Sequence, residues 1–415
     1  MSTFGLDGVL PWHQARTVAG TCARAPLGVQ ARLDEAAGSV LAANLVTVQD
    51  DPPSDAARSS GFAVCGEGPW LLDELDVLSP GWSAPLATGW PVPRNTDAVI
   101  PFADATVSEQ SDGRRLVTMH DPLTGIPDDR ARPDIGSGIL RQGVVSSAGH
   151  QLLQSGRLVT PGVLALAAER GLDALEIIPP PVVGVLVLGG HLLDRGLPRR
   201  GRVRDALGNT VPAFVGALGA RGNPAVRASD AEDLLLTEID DATADVIITT
   251  GSTAPGPENH LRRVLRDLDA HWLVDGVSVT PGAQMLLARL PDGRLLLGLP
   301  GDPPAALAAL ATLAAPLIGS LRGDPPDGEP RSAVLMDDAP PADYADDTGL
   351  VPVRLEVSAA ATQATPLPGD GAAALEAWAA ADALAVVPPG AGARGDVVQI
   401  LDPWGRSRWQ ASSLA

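Results

Sequence analysis

Residues 182–188 form an unbroken apolar run, VVGVLVL, set off by three prolines at 179–181. A run of this kind marks a strand buried on both faces, which requires a sheet with a layer packed on each side. The text beyond it repeats the theme. A helix is expected over 207–218, a second buried strand over 245–250 (DVIITT) and an amphipathic helix over 258–268. Further strands are expected over 271–279 and 295–299. A closing helix follows over 303–321, apolar from Pro303 to Gly319. That apolar stretch falls short of the ~20 residues a membrane span needs, so it reads as a helix buried on the sheet. Strand and helix in alternation predict a largely parallel α/β sheet.

Other stretches carry different patterns. Residues 26–44 read as a helix with an extended exit, and 49–58 as polar and turn-rich. From Gly61 to Asp134, short apolar runs broken by Pro, Gly and Asn suit a small β-rich module. The pattern over 138–171 turns helical and ends in VLALAAERG, with Gly171 as the C-cap. After Gly323-Asp324-Pro325-Pro326, strand-like pieces at 333–336, 350–357, 383–387 and 396–400 read as a mainly β terminal domain.

Charge excludes some classes of partner. A net charge of −20 argues against nucleic acid or an anionic membrane. All 30 basic residues are arginine, so Schiff-base, P-loop and Ser-Lys chemistry are excluded. Two cysteines, Cys22 and Cys65, make neither a disulfide framework nor a metal cluster. Residues 1–16 lack a basic region followed by an apolar run, so no signal peptide is read and a cytoplasmic protein is expected.

Two glycine-bearing turns stand between strand and helix in the α/β region. One is Thr249-Thr250-Gly251-Ser252-Thr253-Ala254-Pro255-Gly256 and the other is Gly298-Leu299-Pro300-Gly301-Asp302-Pro303. Such turns can leave bare backbone N–H groups at a helix N-terminus, a ready anion site, or can serve as plain connections. Together, with Asp205 opening a helix nearby, they favour a phosphate-bearing ligand at the carboxyl ends of the strands. Asp205 and Asp302 are each equally well placed as helix N-caps.

These motifs resemble those of the MoeA/gephyrin family of molybdopterin molybdenumtransferases, in the family's order, over residues 15–400. Residues 245–251 are similar to its D-V-V-I-T-S-G-G, 298–303 to G-L-P-G-N-P and 202–205 to Q-I-Y-D-S-N. Thr280-Pro281-Gly282 stands at K-P-G-K-P, and Thr88-Gly89-Trp90-Pro91-Val92-Pro93 resembles T-G-A-P-L-P. Leu158-Val159-Thr160-Pro161 resembles L-T-P, and residues 55–63 resemble D-N-S-A-M-D-G-Y-A.

The resemblance implies a multidomain α/β plus β architecture. An elongated, discontinuous first domain spans 1–44 and 138–178, with an inserted β-rich domain at 45–137. A MogA-like three-layer α/β molybdopterin-binding domain spans 179–325, and a β-barrel-like domain spans 326–415. It implies a homodimer and a reaction in which adenylylated molybdopterin receives molybdate and releases AMP, with Mg²⁺ at the site.

The sequence departs from the family where charge matters. Ser60 stands at the second Asp of D-N-S-A-M-D-G-Y. Val144 and Val145 replace the acids of R-R-x-G-E-D, and Gly190 and His191 those of S-T-G-D-E-L. The V-x-D-D turn becomes Val226-Arg227-Ala228-Ser229-Asp230. The lysine positions of K-P-G-K correspond to Thr280 and Ala283. Valine cannot ligate Mg²⁺, so no metal ligand is assigned. The catalytic candidates carried over are Asp205 and Asp230. The pterin-binding candidates are Asp55, Thr88, Arg141, Thr250, Gly251, Ser252, Gly256, Pro300, Gly301 and Asp302. Catalysis is expected to be weakened or lost. The alternative is a non-catalytic, gephyrin-like dimeric scaffold that binds a partner protein or peptide through its third and fourth domains.

Overall fold

The computed structural model describes residues 8–228, 231–256, 260–324, 331–358, 361–369 and 374–402. The chain divides into two compact units. One comprises Met1–Ala43, Ser155–Leu164 and Ala174–Ala415, and the other Asn44–Gln154 and Ala165–Asp173.

In the first unit the expected α/β sheet is present. Its strands run in the order Arg221–Gly222, Val182–Leu188, Val246–Thr250, Leu295–Leu299, Leu286–Arg289, His271–Asp275, and Val226–Ala228 also pairs with Val182–Leu188. The first four are parallel, and Leu286–Arg289 alone is reversed, antiparallel to both Leu295–Leu299 and His271–Asp275. Alternate side chains point to opposite faces of a strand, and both faces here are covered. Val183, Val185, Val246, Ile248, Leu295 and Leu297 pack with Val211, Phe214 and Val215 of the Thr210–Ala217 helix and with the Pro303–Arg322 helix. Leu186, Leu188, Ile247 and Leu296 pack with Leu235 and Ile239 of Glu232–Asp241 and with Leu261, Val264 and Leu265 of Leu261–Asp267. These are the three layers that the apolar runs demand. The closing helix is 20 residues long, apolar enough by composition to cross a membrane, and 72% buried over its most apolar window. It is a core helix.

Several expectations need correction. Residues 26–44 hold no helix. Val29–Arg32 and Val40–Leu41 are instead strands on either side of Ala174–Ile178. The stretch has no buried helical stripe: Leu27 is 91% exposed, and a Cβ on Gly28 would meet the Ala42 Cβ at 2.5 Å. The helix of this region is Trp12–Thr21, which buries Trp12, Ala15 and Ala19.

Over 138–171 only Pro161–Glu169 is helical, while Ile139–Leu140 and Gln151–Leu153 are strands. Left-handed glycines at 138, 143, 149 and 156 interrupt any earlier helix. Gly171, at φ 76°, ends the helix as expected, with its N–H on the Ala168 carbonyl.

The run 271–279 is two strands, not one. At Gly276, φ 95°, the chain leaves the α/β sheet, and Val277–Thr280 pairs instead with Leu10–Pro11 and Thr348–Val357.

The terminal region closes into a ring. Thr348–Val357 pairs with both Thr362–Pro366 and Ala383–Val387, while Ser332–Leu335 and Val397–Leu401 complete the circuit. Closure leaves these five strands without a free edge, around Leu335, Val351, Val353, Ala385 and Ile400. Thr362–Pro366 and the Ala374–Ala380 helix are additions to the sequence reading.

The second unit holds the β-rich module. Its sheet runs Ala105–Glu109, Arg115–His120, Trp70–Leu72, Trp82–Leu86, Gly61–Cys65, Ala98–Pro101. Gly61 is required there, because a Cβ would lie 2.0 Å from the Ile100 carbonyl oxygen of the paired strand.

Candidate functional site

In the α/β unit the two glycine-bearing turns meet. Their strands are neighbours, the Gly251 N–H donates to the Leu299 carbonyl at 2.8 Å, and a Cβ on Gly301 would lie 3.6 Å from the Gly251 Cα. Thr250, Gly251, Ser252, Pro300, Gly301 and Asp302 are therefore one locus at the carboxyl ends of the strands. Ser252 holds φ 58°, a left-handed conformation rare for a side chain with a Cβ.

The expected anion site at the second turn is not available. The helix after it opens with Pro303 and Pro304, which have no N–H, and the Ala305 N–H donates to Asp302 Oδ2 at 3.1 Å. Asp302 is an N-cap, and its own carboxylate takes the place an anion would use. The first turn does not open a helix directly either: residues 252–256 are non-helical, and the next helix among the described residues is Leu261–Asp267. Gly256 lies between them on that connection.

A cavity of about 290 Å³ lies at the carboxyl end of Val182–Leu188, lined by Val187, Asp194, Arg204, Asp205, Asn209 and Arg227 among others. Val187 is the register partner of Thr250, so the cavity and the glycine turns sit on adjacent strands. Asp205 is held tightly there. Its Oδ1 accepts the N–H groups of Leu207 and Gly208 at 2.9 and 3.0 Å, capping the turn that leads into Thr210–Ala217. Its Oδ2 lies 3.9 Å from Arg227 Nη2, and Arg227 Nη1 donates to the Leu192 carbonyl at 3.2 Å. Arg204 Nη1 is closed off from solvent with no hydrogen-bond partner. The hydroxyl of Thr249 is in the same position.

The second unit holds its own cluster. Asp55 Oδ1 accepts the Gln142 N–H at 2.9 Å, and Oδ2 pairs with Arg141 Nη1 at 2.5 Å. The Gln142 N–H first, then the hydrogen bond and charge of Arg141, hold the Asp55 carboxyl below its ordinary range against the opposing effect of desolvation. Ser60 Oγ accepts the Thr88 N–H and lies 3.1 Å from the Thr88 hydroxyl. Val144 and Val145 are 60% and 58% exposed.

Asp230 lies outside the described residues. His191 is exposed, with its carbonyl accepting the Val203 N–H. Sequence reasoning passed over Arg204, Arg227, Asn209 and Asp50, the last of which accepts from Gln142 Nε2 and the Ala148 N–H. A signal for the arginines was present: five of residues 195–204 are arginine in a chain of net charge −20.

Mg²⁺ suits this donor set poorly. Among the described residues no three His, Cys, Asp or Glu stand together to hold a metal ion. In the cavity, one oxygen of Asp205 is taken by two amides, the other faces Arg227, Asp194 is exposed, and Arg204 carries an unmet positive charge. A divalent cation would be repelled where it would need oxygen ligands.

A three-layer α/β unit with two glycine turns and a polar cavity at the carboxyl ends of its strands, followed by a closed β barrel, defines a multidomain α/β plus β protein with a crevice where such sheets bind their ligands. The MoeA N-terminal region (domain I and II) matches residues 10–171, a probable molybdopterin binding domain matches 184–320, and the MoeA C-terminal region (domain IV) matches 334–402. The chain belongs to the MoeA family, a family of molybdenum cofactor biosynthesis. It is 27% identical over 394 residues to the molybdopterin molybdenumtransferase of Bacillus subtilis (strain 168), covering 89% of this chain and 88% of that protein. The molybdopterin molybdenumtransferase of Staphylococcus aureus (strain MSSA476) is 23% identical over 312 residues, 70% of this chain and 71% of that one. The fold is that of the molybdopterin biosynthesis MoeA protein from Pyrococcus horikoshii, with a TM-score of 0.72 at 23% identity over 94% of this chain and 98% of that one.

Proposed function

We propose that the chain binds a phosphate-bearing pterin of the molybdopterin class, free or adenylylated, in its α/β unit. We further propose that molybdate insertion with AMP release is weakened or lost in it. One contrast carries this reading. Gly251 and Gly301 bring two glycine turns together beside a polar cavity lined by Arg204 and Arg227, while residues 144–145 and 190–191 present Val, Val, Gly and His. Backbone shape suffices to bind a ligand, whereas charge neutralisation in the reaction needs ligands that these side chains lack.

The test is to mix purified chain with adenylylated molybdopterin, molybdate and Mg²⁺ and follow binding and AMP release together. Binding is expected, with release at least about 100-fold slower than in the Bacillus subtilis relative. Release at a matching rate would sink the claim of weakened catalysis, and absence of binding would sink the ligand assignment.

The scaffold reading draws on Val357 and Val397 of the terminal barrel, 75% and 70% exposed. It is what remains if neither binding nor release is seen. Either reading includes a homodimer, which sedimentation at micromolar concentration checks.

A further inference from the structure

We infer that the cavity beside Asp205 takes a tetrahedral oxyanion directly on arginine, through Arg204 with Arg227 as second contact, and without a divalent cation. The inference rests on the reading of this cavity as the ligand site. Observations on Arg204, on Arg227 and on the chain before the cavity lead to it. Arg204 lines the cavity, has no carboxylate within ion-pair distance among the described residues, and has one Nη shut off from water without a partner. A guanidinium left in that condition is costly, and an entering anion relieves it. Arg227 is already oriented across the cavity by the Leu192 carbonyl, and its Nη2 stands 3.9 Å from Asp205, beyond hydrogen-bonding distance. The chain before the cavity adds Arg195, Arg199, Arg200 and Arg202, none of them in an ion pair among the described residues, so the approach is cationic although the molecule carries −20 overall.

Size and donor chemistry set the ligand class. At about 290 Å³ the cavity stands at the small end of ligand sites, room for the anionic end of a ligand rather than all of it. The planar fork of arginine matches the oxygens of phosphate, and Asn209 on the same wall can donate as well. The two arginines thus supply the positive charge that a metal ion would otherwise bring to a phosphoryl or molybdate group.

The test is calorimetric titration of the full chain with pyrophosphate and, separately, with molybdate, each with and without EDTA. Wild type is expected to bind at least one of them, with affinity changed less than about twofold by EDTA. Arg204→Met should weaken binding roughly 10- to 100-fold, the effect of losing a charged hydrogen-bond pair. Arg227→Gln should weaken it less. If Arg204→Met fails to fold by circular dichroism, Arg204→Lys decides: it keeps the charge, loses the fork, and should weaken binding several-fold. No binding of either anion, binding that requires Mg²⁺, or full affinity in the Arg204 variant that folds would overturn the inference. The pterin separates it from the reading above. If adenylylated molybdopterin binds with an affinity indifferent to Arg204, the inference fails and the reading survives. If pyrophosphate binds through Arg204 while the pterin does not bind at all, the reverse holds.

Discussion

Asp55 and Asp205 perform the same local task in two different regions. Each uses Oδ1 to accept backbone N–H groups, from Gln142 in one case and from Leu207 and Gly208 in the other. Each turns its second oxygen toward an arginine. The Asp55 pair closes at 2.5 Å on an exposed surface, whereas the Asp205 oxygen stops 3.9 Å short of Arg227 and leaves Arg204 beside it unmatched. The closed pair is electrostatically finished, and exposed pairs of this kind are worth little to stability. The open arrangement holds positive charge in reserve inside a cavity. A site's capacity for an anion is set less by the number of its arginines than by whether the protein's own carboxylates have already claimed them.

The strongest way to break the comparison is to destroy the geometry that keeps the second arrangement open. A Cβ on Gly208 would lie 2.4 Å from Asp205 Oδ2, and that carboxylate cannot retreat while two amides pin its other oxygen. Gly208→Ala should therefore cost about 2–3 kcal/mol in urea unfolding, at the upper end of overpacking effects. It should also abolish measurable pyrophosphate binding. Unchanged stability would mean that Asp205 is not held as described.

The next effect separates the two jobs of Asp205. Asp205→Ala removes the cap and should cost about 1–2 kcal/mol. Asp205→Asn keeps an acceptor for the amides and should stay within about 0.5 kcal/mol of wild type. Without the carboxylate facing Arg227, the Asn variant should bind pyrophosphate several-fold more tightly. The matching change in the other region, Asp55→Ala, should cost under about 1 kcal/mol and leave pyrophosphate binding alone. Equal costs for the two alanine variants would erase the contrast.

Acidity supplies a second contrast, between Asp55 and Asp347, with a sign attached. The folded Asp55 carboxyl is held below its unfolded value of 3.8, so its contribution is present above that pH and is lost as pH falls through the lower folded value. Asp347 behaves oppositely. Burial raises it first, its bond from Thr280 opposes the rise, and Asp343 and Asp346 add to it. Its contribution is complete below 3.8 and is lost as pH rises through the raised value. Asp347→Asn should therefore raise stability at pH 7, by under about 1 kcal/mol, and do nothing at pH 3. Asp55→Asn should lower stability at pH 7 and do nothing once the pH lies below the lowered folded value. Titration of thermal unfolding midpoints checks both.

What the sequence revealed of this molecule follows from the range of the interactions involved. The strands at 182–188, 246–250 and 295–299 were legible because burial on both faces leaves only apolar residues. Asp302 was legible as a cap because the residues it serves adjoin it. The strands near residues 30 and 40 were not, because each is two to four residues long and exists only against Ala174–Ile178. The pairing of Asp55 with Arg141 joins positions 86 residues apart, and the isolation of Arg204 is a property of its surroundings that no local pattern encodes. The arginine density of 195–204 was visible, but by itself it reads equally well as solvated loop charge.

The smallest effect concerns the first glycine turn, where Ser252 holds φ 58°, a backbone region that favours glycine. A left-handed conformation costs a residue bearing a Cβ about 1 kcal/mol or more. Glycine would remove that strain but add freedom to the unfolded chain, so Ser252→Gly should gain only a few tenths of a kcal/mol. Its effect on ligand is the sharper question. Strain retained at a binding turn can serve the site, and then relief of it should change affinity for the pterin by severalfold while pyrophosphate affinity at Arg204 stays fixed. If neither affinity moves and only stability rises, the serine is a tolerated substitution and the anion chemistry of this unit belongs to the arginine cavity alone.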